Sequence, residues 1–137
     1  MQLNAYLNFD SDCEAAFNDY DDDIGGNVAT LPPFGEGLMA KQTPAEYRDG
    51  IMRAHVHLDD GTLKGSDCTP EHPHEPVKSA YVVLHVSDEK KAERIFNALA
   101  DGGTVTISLQ QTLWAHRYGM AVDRFGVPYI VNCAKPT

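Results

Sequence analysis

Apolar and polar residues alternate from Leu3 to Phe9, with Leu3, Ala5, Leu7 and Phe9 set against Asn4, Tyr6 and Asn8. A period of two predicts a strand with one buried face. The period then changes. Cys13, Ala16, Phe17, Tyr20 and Ile24 follow helical spacing and form one apolar stripe. Ser11 to Glu14 reads as a capping box with Ser11 as N-cap, and Gly25-Gly26 as the left-handed stop. Asp19, Asp21, Asp22 and Asp23 crowd the end of this helix, where they oppose its dipole and predict a frayed last turn.

The plan then repeats. Ala80, Val82, Leu84 and Val86 alternate with Tyr81, Val83 and His85; Ser87-Asp88-Glu89 opens a helix. Ala92, Ile95, Phe96 and Leu99 carry its stripe, and Gly102-Gly103 ends it. Leu7 to Leu84 and Gly25 to Gly102 are both displaced by 77 positions, and the helix stripe by 79. Matched spacing of strand, helix and Gly-Gly predicts an internal repeat. Strand-like runs follow each helix: near Asn27–Leu31, Ile51–Asp59 and Thr62–Ser66, then Thr104–Gln110, Tyr118–Asp123 and Val127–Cys133. Each half reads βαβββ. Asp67–Val77, with prolines at 70, 73 and 76, reads as the linker. Pro32 to Gln42 reads as a loop, and Thr43-Pro44-Ala45-Glu46 as a second capping box opening one short helical turn. The expected organisation is one domain over 1–137: module 1 about 1–66, linker 67–77, module 2 about 78–137.

Alternation also sorts candidate chemistry. Arg53, His55, His57 and Asp59 share a face, opposite Met52, Ala54, Val56 and Leu58. His, Tyr, Asn, Thr and Gln on the non-apolar faces fit a cavity lining better than a solvated surface, which more often carries Lys and Glu. His55 and His57 project to one side about 7 Å apart by strand rise. They are the candidates for acid–base work, and a shared metal is the other use of such a pair. Tyr6 shares its strand face with Asn4 and Asn8, and Tyr81 faces the same way as His85. Trp114 is the only tryptophan; it either walls a pocket or caps the core. The linker cluster Cys68, Glu71, His72, His74 and Glu75 is ligand-rich but has no matching second cluster, so it reads as a spectator.

Composition narrows the partners. The 137 residues carry 20 acidic and 11 basic side chains, a net charge of −9. Scattered basic residues in an acidic chain argue against nucleic acid. No apolar run reaches membrane-span length, and no signal peptide is legible, so neither a membrane nor export is expected and a cytoplasmic location is. Three cysteines at wide spacing predict reduced thiols, not a disulfide framework or zinc ribbon. In so acidic a chain, a histidine near carboxylates is expected to stay protonated to higher pH, and ligand binding to change between roughly pH 5.5 and 7.5. Glycine-rich nucleotide turns, P-loops, nucleophile elbows and His-Glu-x-x-His motifs are missing.

The two βαβββ units, the Gly-Gly pairs and the stretch from Trp114 through Gly119 and Asp123 to Phe125, Gly126 and Tyr129 resemble the vicinal oxygen chelate (glyoxalase/bleomycin resistance/dioxygenase) superfamily. The opening Tyr6 to Phe17, and Met52 to His55 running on to Gly65-Ser66-Asp67, resemble its PhnB-like branch, also labelled 3-demethylubiquinone-9 3-methyltransferase-like. The resemblance implies an α+β fold of two βαβββ modules, curved mixed sheets around a cavity, and a homodimer. It also implies metal ligands on the first and last strand of each module. Those positions hold Asn4, a residue near Ser66, Tyr81 and Ile130, not the expected His and Glu, so no metal is predicted. His55 falls where the branch often has histidine; Arg53 and His57 fall where it shows His and Arg in the reverse order. No glycine-rich nucleotide turn supports the methyltransferase label. One arginine on the candidate face of a −9 chain argues against a phosphonate dianion. The expectation is a small-molecule-binding protein without cofactor, its ligand held by Tyr6, Arg53, His55, His57, Tyr81 and Trp114. The alternative is a lyase, isomerase or dioxygenase using an atypical divalent metal or His55/His57 catalysis.

Overall fold

The computed structural model describes residues 1–30, 53–58 and 61–135. The loop and helical turn expected over 32–50, and Asp59, lie outside the described residues. The chain divides into two units, Met1–Glu75 and Pro76–Thr137.

Unit 1 runs β1 (Ala5–Phe9), α1 (Cys13–Asp23), β2 (Asn27–Thr30), β3 (Ala54–Leu58) and β4 (Gly61–Asp67). Unit 2 runs β5 (Val82–His85), α2 (Glu89–Ala100), β6 (Thr104–Gln110), β7 (Ala115–Val122) and β8 (Pro128–Ala134). The sheet orders are β1-β4-β3-β2 and β5-β8-β7-β6. In each, the first strand pairs parallel to the last, and the remaining pairs are antiparallel. The fold is therefore α+β, two βαβββ units with mixed four-stranded sheets.

Both helix stripes are buried. Cys13, Ala16, Phe17 and Tyr20 of α1 pack beside Leu7 and Phe9, with Phe17 edge-on to Phe9 at 6.0 Å and to Tyr20 at 5.5 Å between ring centroids. Ala92, Ile95, Phe96 and Leu99 do the same for α2. Arg117 of β7 ties its strand to α2 through Glu89 and Glu93, each at 3.1 Å.

Three local expectations are corrected. The first strand begins at Ala5, and Leu3 is 96% exposed, because the pairing with β4 starts at Leu63 opposite Ala5. Ser11 is not the N-cap of α1. Ser11 takes a left-handed φ of 68°, Asp12 occupies the cap without a side-chain bond, and Asp67 of β4 accepts from the Cys13 amide at 2.9 Å instead. The end of α1 stays regular despite its aspartates: Ile24 N–H donates to the Tyr20 carbonyl at 2.9 Å, anchored by the buried Tyr20 and Ile24.

In β6, Val105 and Ile107 do not share a face. Irregular register around Ile107 pairs Val105 with Ala121 but Ile107 with Met120, on the other side of β7. The stretch read as linker is partly built into unit 1. Asp67 ends β4, the Cys68 N–H donates to the Phe9 carbonyl at 2.8 Å, and a Thr69–His72 bridge closes a turn.

Candidate functional site

Residues paired across a sheet point to the same side, so register assembles each face. In unit 1, Tyr6 of β1 lies opposite Lys64 of β4, which lies opposite His55 of β3. Asn8 lies opposite Ser66, and Thr62 opposite His57. This face is turned away from α1, because Leu7, Leu63 and Val56 occupy the other. Tyr6 OH donates to Ser66 Oγ at 2.9 Å. His57 Nδ1 and Thr62 Oγ1 are hydrogen-bonded at 3.1 Å. The His55 and His57 rings lean together, with centroids 4.6 Å apart, closer than the strand rise alone gives.

The electrostatics differ from the expectation drawn from net charge. His55 is half-buried, and its pKa is pushed below the ordinary value, first by burial, then by His57, Lys64 and Arg53. No carboxylate among the described residues offsets them. The local field has the opposite sign to the whole chain, so His55 gives up its proton more readily, not less.

At the end of β1 and β4 lies a cavity of about 320 Å³, lined by Tyr6, Asn8, Ser66, Asp67, Cys68, Thr69 and His72. Of the residues singled out from sequence as ligand contacts, only Tyr6 lines it. Arg53, His55 and His57 share β3 and its approach, and reach Tyr6 through the Lys64 register. Lys64 and Thr69 escaped sequence reasoning, since their place depends on pairing. The ligand-rich character of Cys68 and His72 was legible, but not the turn that folds them onto β1. All three cysteines are free and buried; burial and the neighbouring Asp67 push the Cys13 thiol strongly up, which suits packing and not nucleophilic work.

In unit 2, the face away from α2 carries Val83, Met120, Tyr118, Ile130, Asn132 and His85, aligned by register. It is more apolar than its counterpart. Asn132 Nδ2 meets His85 Nδ1 at 3.3 Å. Trp114 stacks edge-on to Tyr118 at 5.7 Å and remains 60% exposed, so it does not cap the core. Tyr81 is 48% exposed.

The positions that the superfamily would use for metal do not fit one. Asn4, Tyr81 and Ile130 offer no imidazole or carboxylate, and Ser66 already accepts from Tyr6. No three His, Cys, Asp or Glu side chains converge among the described residues.

No family model matches the chain. It is 30% identical over 147 residues to protein YjdN of Escherichia coli strain K12, covering 98% of this chain and 97% of YjdN. Protein PA1353 of Pseudomonas aeruginosa has a crystal structure that superposes with a TM-score of 0.89 at 39% identity, covering 99% of both chains. Two more distant structures share the fold: a PhnB protein from Bacillus cereus (TM-score 0.80, 16% identity, 98% of this chain and 100% of that one), and a glyoxalase/bleomycin resistance protein from Albidiferax ferrireducens T118 (0.67, 13%, 97% of each). Mixed sheets in two βαβββ units and full-length likeness to YjdN lead to one conclusion: the chain belongs to the YjdN family and has the glyoxalase/bleomycin-resistance fold.

Proposed function

We propose that this protein binds a small organic ligand without a metal and acts as a homodimer. The ligand rests against the polar face of unit 1 and is held by Tyr6, Arg53, His55 and His57. Tyr81 and Trp114, exposed rings of unit 2, offer a separate contact surface on that unit. The carrying observation is the polar face of unit 1, where paired imidazoles and a hydrogen-bonded tyrosine run up to a cavity of about 320 Å³, within the usual range for small-molecule sites. The fold is also that of TnmS3, an antibiotic binding protein from Streptomyces sp. CB03234 (TM-score 0.59, 20% identity).

The second reading is an isomerase or lyase. It is favoured by one observation: His55 is held below its ordinary pKa, so it is neutral near pH 7 and able to accept a proton. A thermal-shift screen of small organic compounds, run with and without Mn, Zn, Ni and Fe(II), separates the two. A ligand at a hundred times its Kd adds about 2.7 kcal/mol, several degrees in Tm. Stabilisation by a compound alone, lost in the His55→Ala/His57→Ala double variant, supports binding. Stabilisation only with metal, or turnover of the compound, favours the enzyme.

A further inference from the structure

The polar face of unit 1 carries a positive cluster in a negative chain. Lys64 lies directly across from His55, the His57 ring sits 4.6 Å from that of His55, and Arg53 precedes them on the same side. Like charges placed across a sheet repel. Folds normally relieve such repulsion with a carboxylate, and this chain has 20 to place. Yet neither Lys64 nor Arg53 forms an ion pair among the described residues, unlike Arg117, which holds Glu89 and Glu93. Among the described residues, the elements around His55 add no negative group. β2 presents Ala29 opposite His55 and Asn27 opposite His57; β4 presents Lys64 and Thr62; β1 presents Tyr6 beyond Lys64.

We propose that the Arg53–His55–His57–Lys64 face binds the oxyanion of its ligand, a carboxylate or phosphate-type group, which complements the positive charge gathered there. Charge-assisted hydrogen bonds from ammonium, guanidinium and imidazolium are the strong class, and suit this geometry. Burial first, and then the cationic neighbours His57, Lys64 and Arg53, hold the His55 pKa below its ordinary value. An arriving oxyanion offsets the cationic neighbours, and His55 takes up a proton on binding. Affinity is therefore highest at low pH and falls as pH rises through the bound-state His55 value. Net charge and a single arginine argued against a doubly charged anion; Lys64, placed by register, changes the local balance.

This inference rests on the ligand-binding reading above, and its test separates the two. The His55 and His57 imidazole resonances of the full chain, assigned by His55→Gln and His57→Gln, are followed against pH. The salts are sodium chloride, sodium acetate and inorganic phosphate at equal ionic strength. Expected is a saturable upward move of the His55 midpoint in acetate or phosphate relative to chloride. Response to phosphate alone identifies a dianion site; response to acetate identifies a carboxylate site. In Lys64→Gln, checked for fold by circular dichroism, the apparent oxyanion Kd weakens about fivefold to tenfold, the scale of one lost charge-assisted contact; Arg53→Gln is the second variant. Equal midpoints in all three salts, or an undiminished response in both variants, overturns the inference. If the midpoints are equal while a neutral compound from the screen still binds, the binding reading survives and the anion assignment fails. If nothing of any charge binds, both fail.

Discussion

Asp67 illustrates how one side chain links two elements. It is 5% exposed at the end of β4, and its Oδ1 accepts from the first amide of α1. The helix start is therefore closed by a strand distant in sequence, with a carboxylate at the positive end of the helix. Asp67→Ala is expected to destabilise by about 1–2 kcal/mol, whereas Ser11→Ala, which removes no cap, stays within about 0.5 kcal/mol. Urea unfolding of both variants checks this, and equal losses would return the cap to Ser11. His55 carries the pH prediction. Its folded pKa lies below its ordinary value of ~6.5, because of burial and its cationic neighbours. Between the two values the unfolded chain holds a proton that the folded chain does not. Stability from this group is fully present above pH ~6.5 and is lost as pH falls through that window. In chloride buffers the urea midpoint is expected to drop from pH 7.5 to 5.5 more in the wild type than in His55→Gln. A matching drop in both would remove His55 as the cause.

At the scale of elements, the Gly-Gly pair after α2 divides its labour. The first glycine turns the chain: Gly102 has φ +76°, as Gly25 after α1 has φ +88°. The second, in unit 2, is forced by closeness. A Cβ on Gly103 would run into the Val122 carbonyl oxygen and stand 2.9 Å from the Asp123 carbonyl carbon. Gly102→Ala is expected to cost about 1 kcal/mol through its left-handed backbone. Gly103→Ala is expected to cost about 3 kcal/mol, since backbone must move. Chemical denaturation of the two variants tests the order, and a milder Gly103→Ala would contradict the packing. The turn between β7 and β8 works differently. Asp123 Oδ1 accepts from the amides of Phe125 and Val127, both at 2.9 Å, so a buried carboxylate organises the turn that sequence marked with Asp123 and Gly126.

For the molecule as a whole, the proposed dimer has a physical motive. Unit 2 leaves Leu113 94%, Trp114 60% and Val105 47% exposed, and β5 and β6 are the edges of its sheet among the described residues. Light scattering at micromolar concentration is expected to return about twice 15.1 kDa, with the Trp114 emission shifting to the red on dilution. A mass of one chain at that concentration would refute the dimer. No helix among the described residues is long and apolar enough to cross a membrane.

Periodicity alone determined the element types and the repeat. Alternation marked β1 and β5, and both helix stripes are the buried ones, because burial of one face is written directly into residue spacing. The spacing also put Arg53, His55 and His57 on one side of β3. Partner strands were another matter. The pairing of His55 with Lys64 and of Asn8 with Ser66, the Asp67 cap on α1, and the fold-back of Cys68 and His72 against β1 all join residues far apart in sequence. No local pattern encodes such register; it is chosen by the packing of whole sheets against helices. The sign of the field around His55 followed the same rule, because electrostatics depends on which charges lie within a few ångströms, not on how many the chain contains.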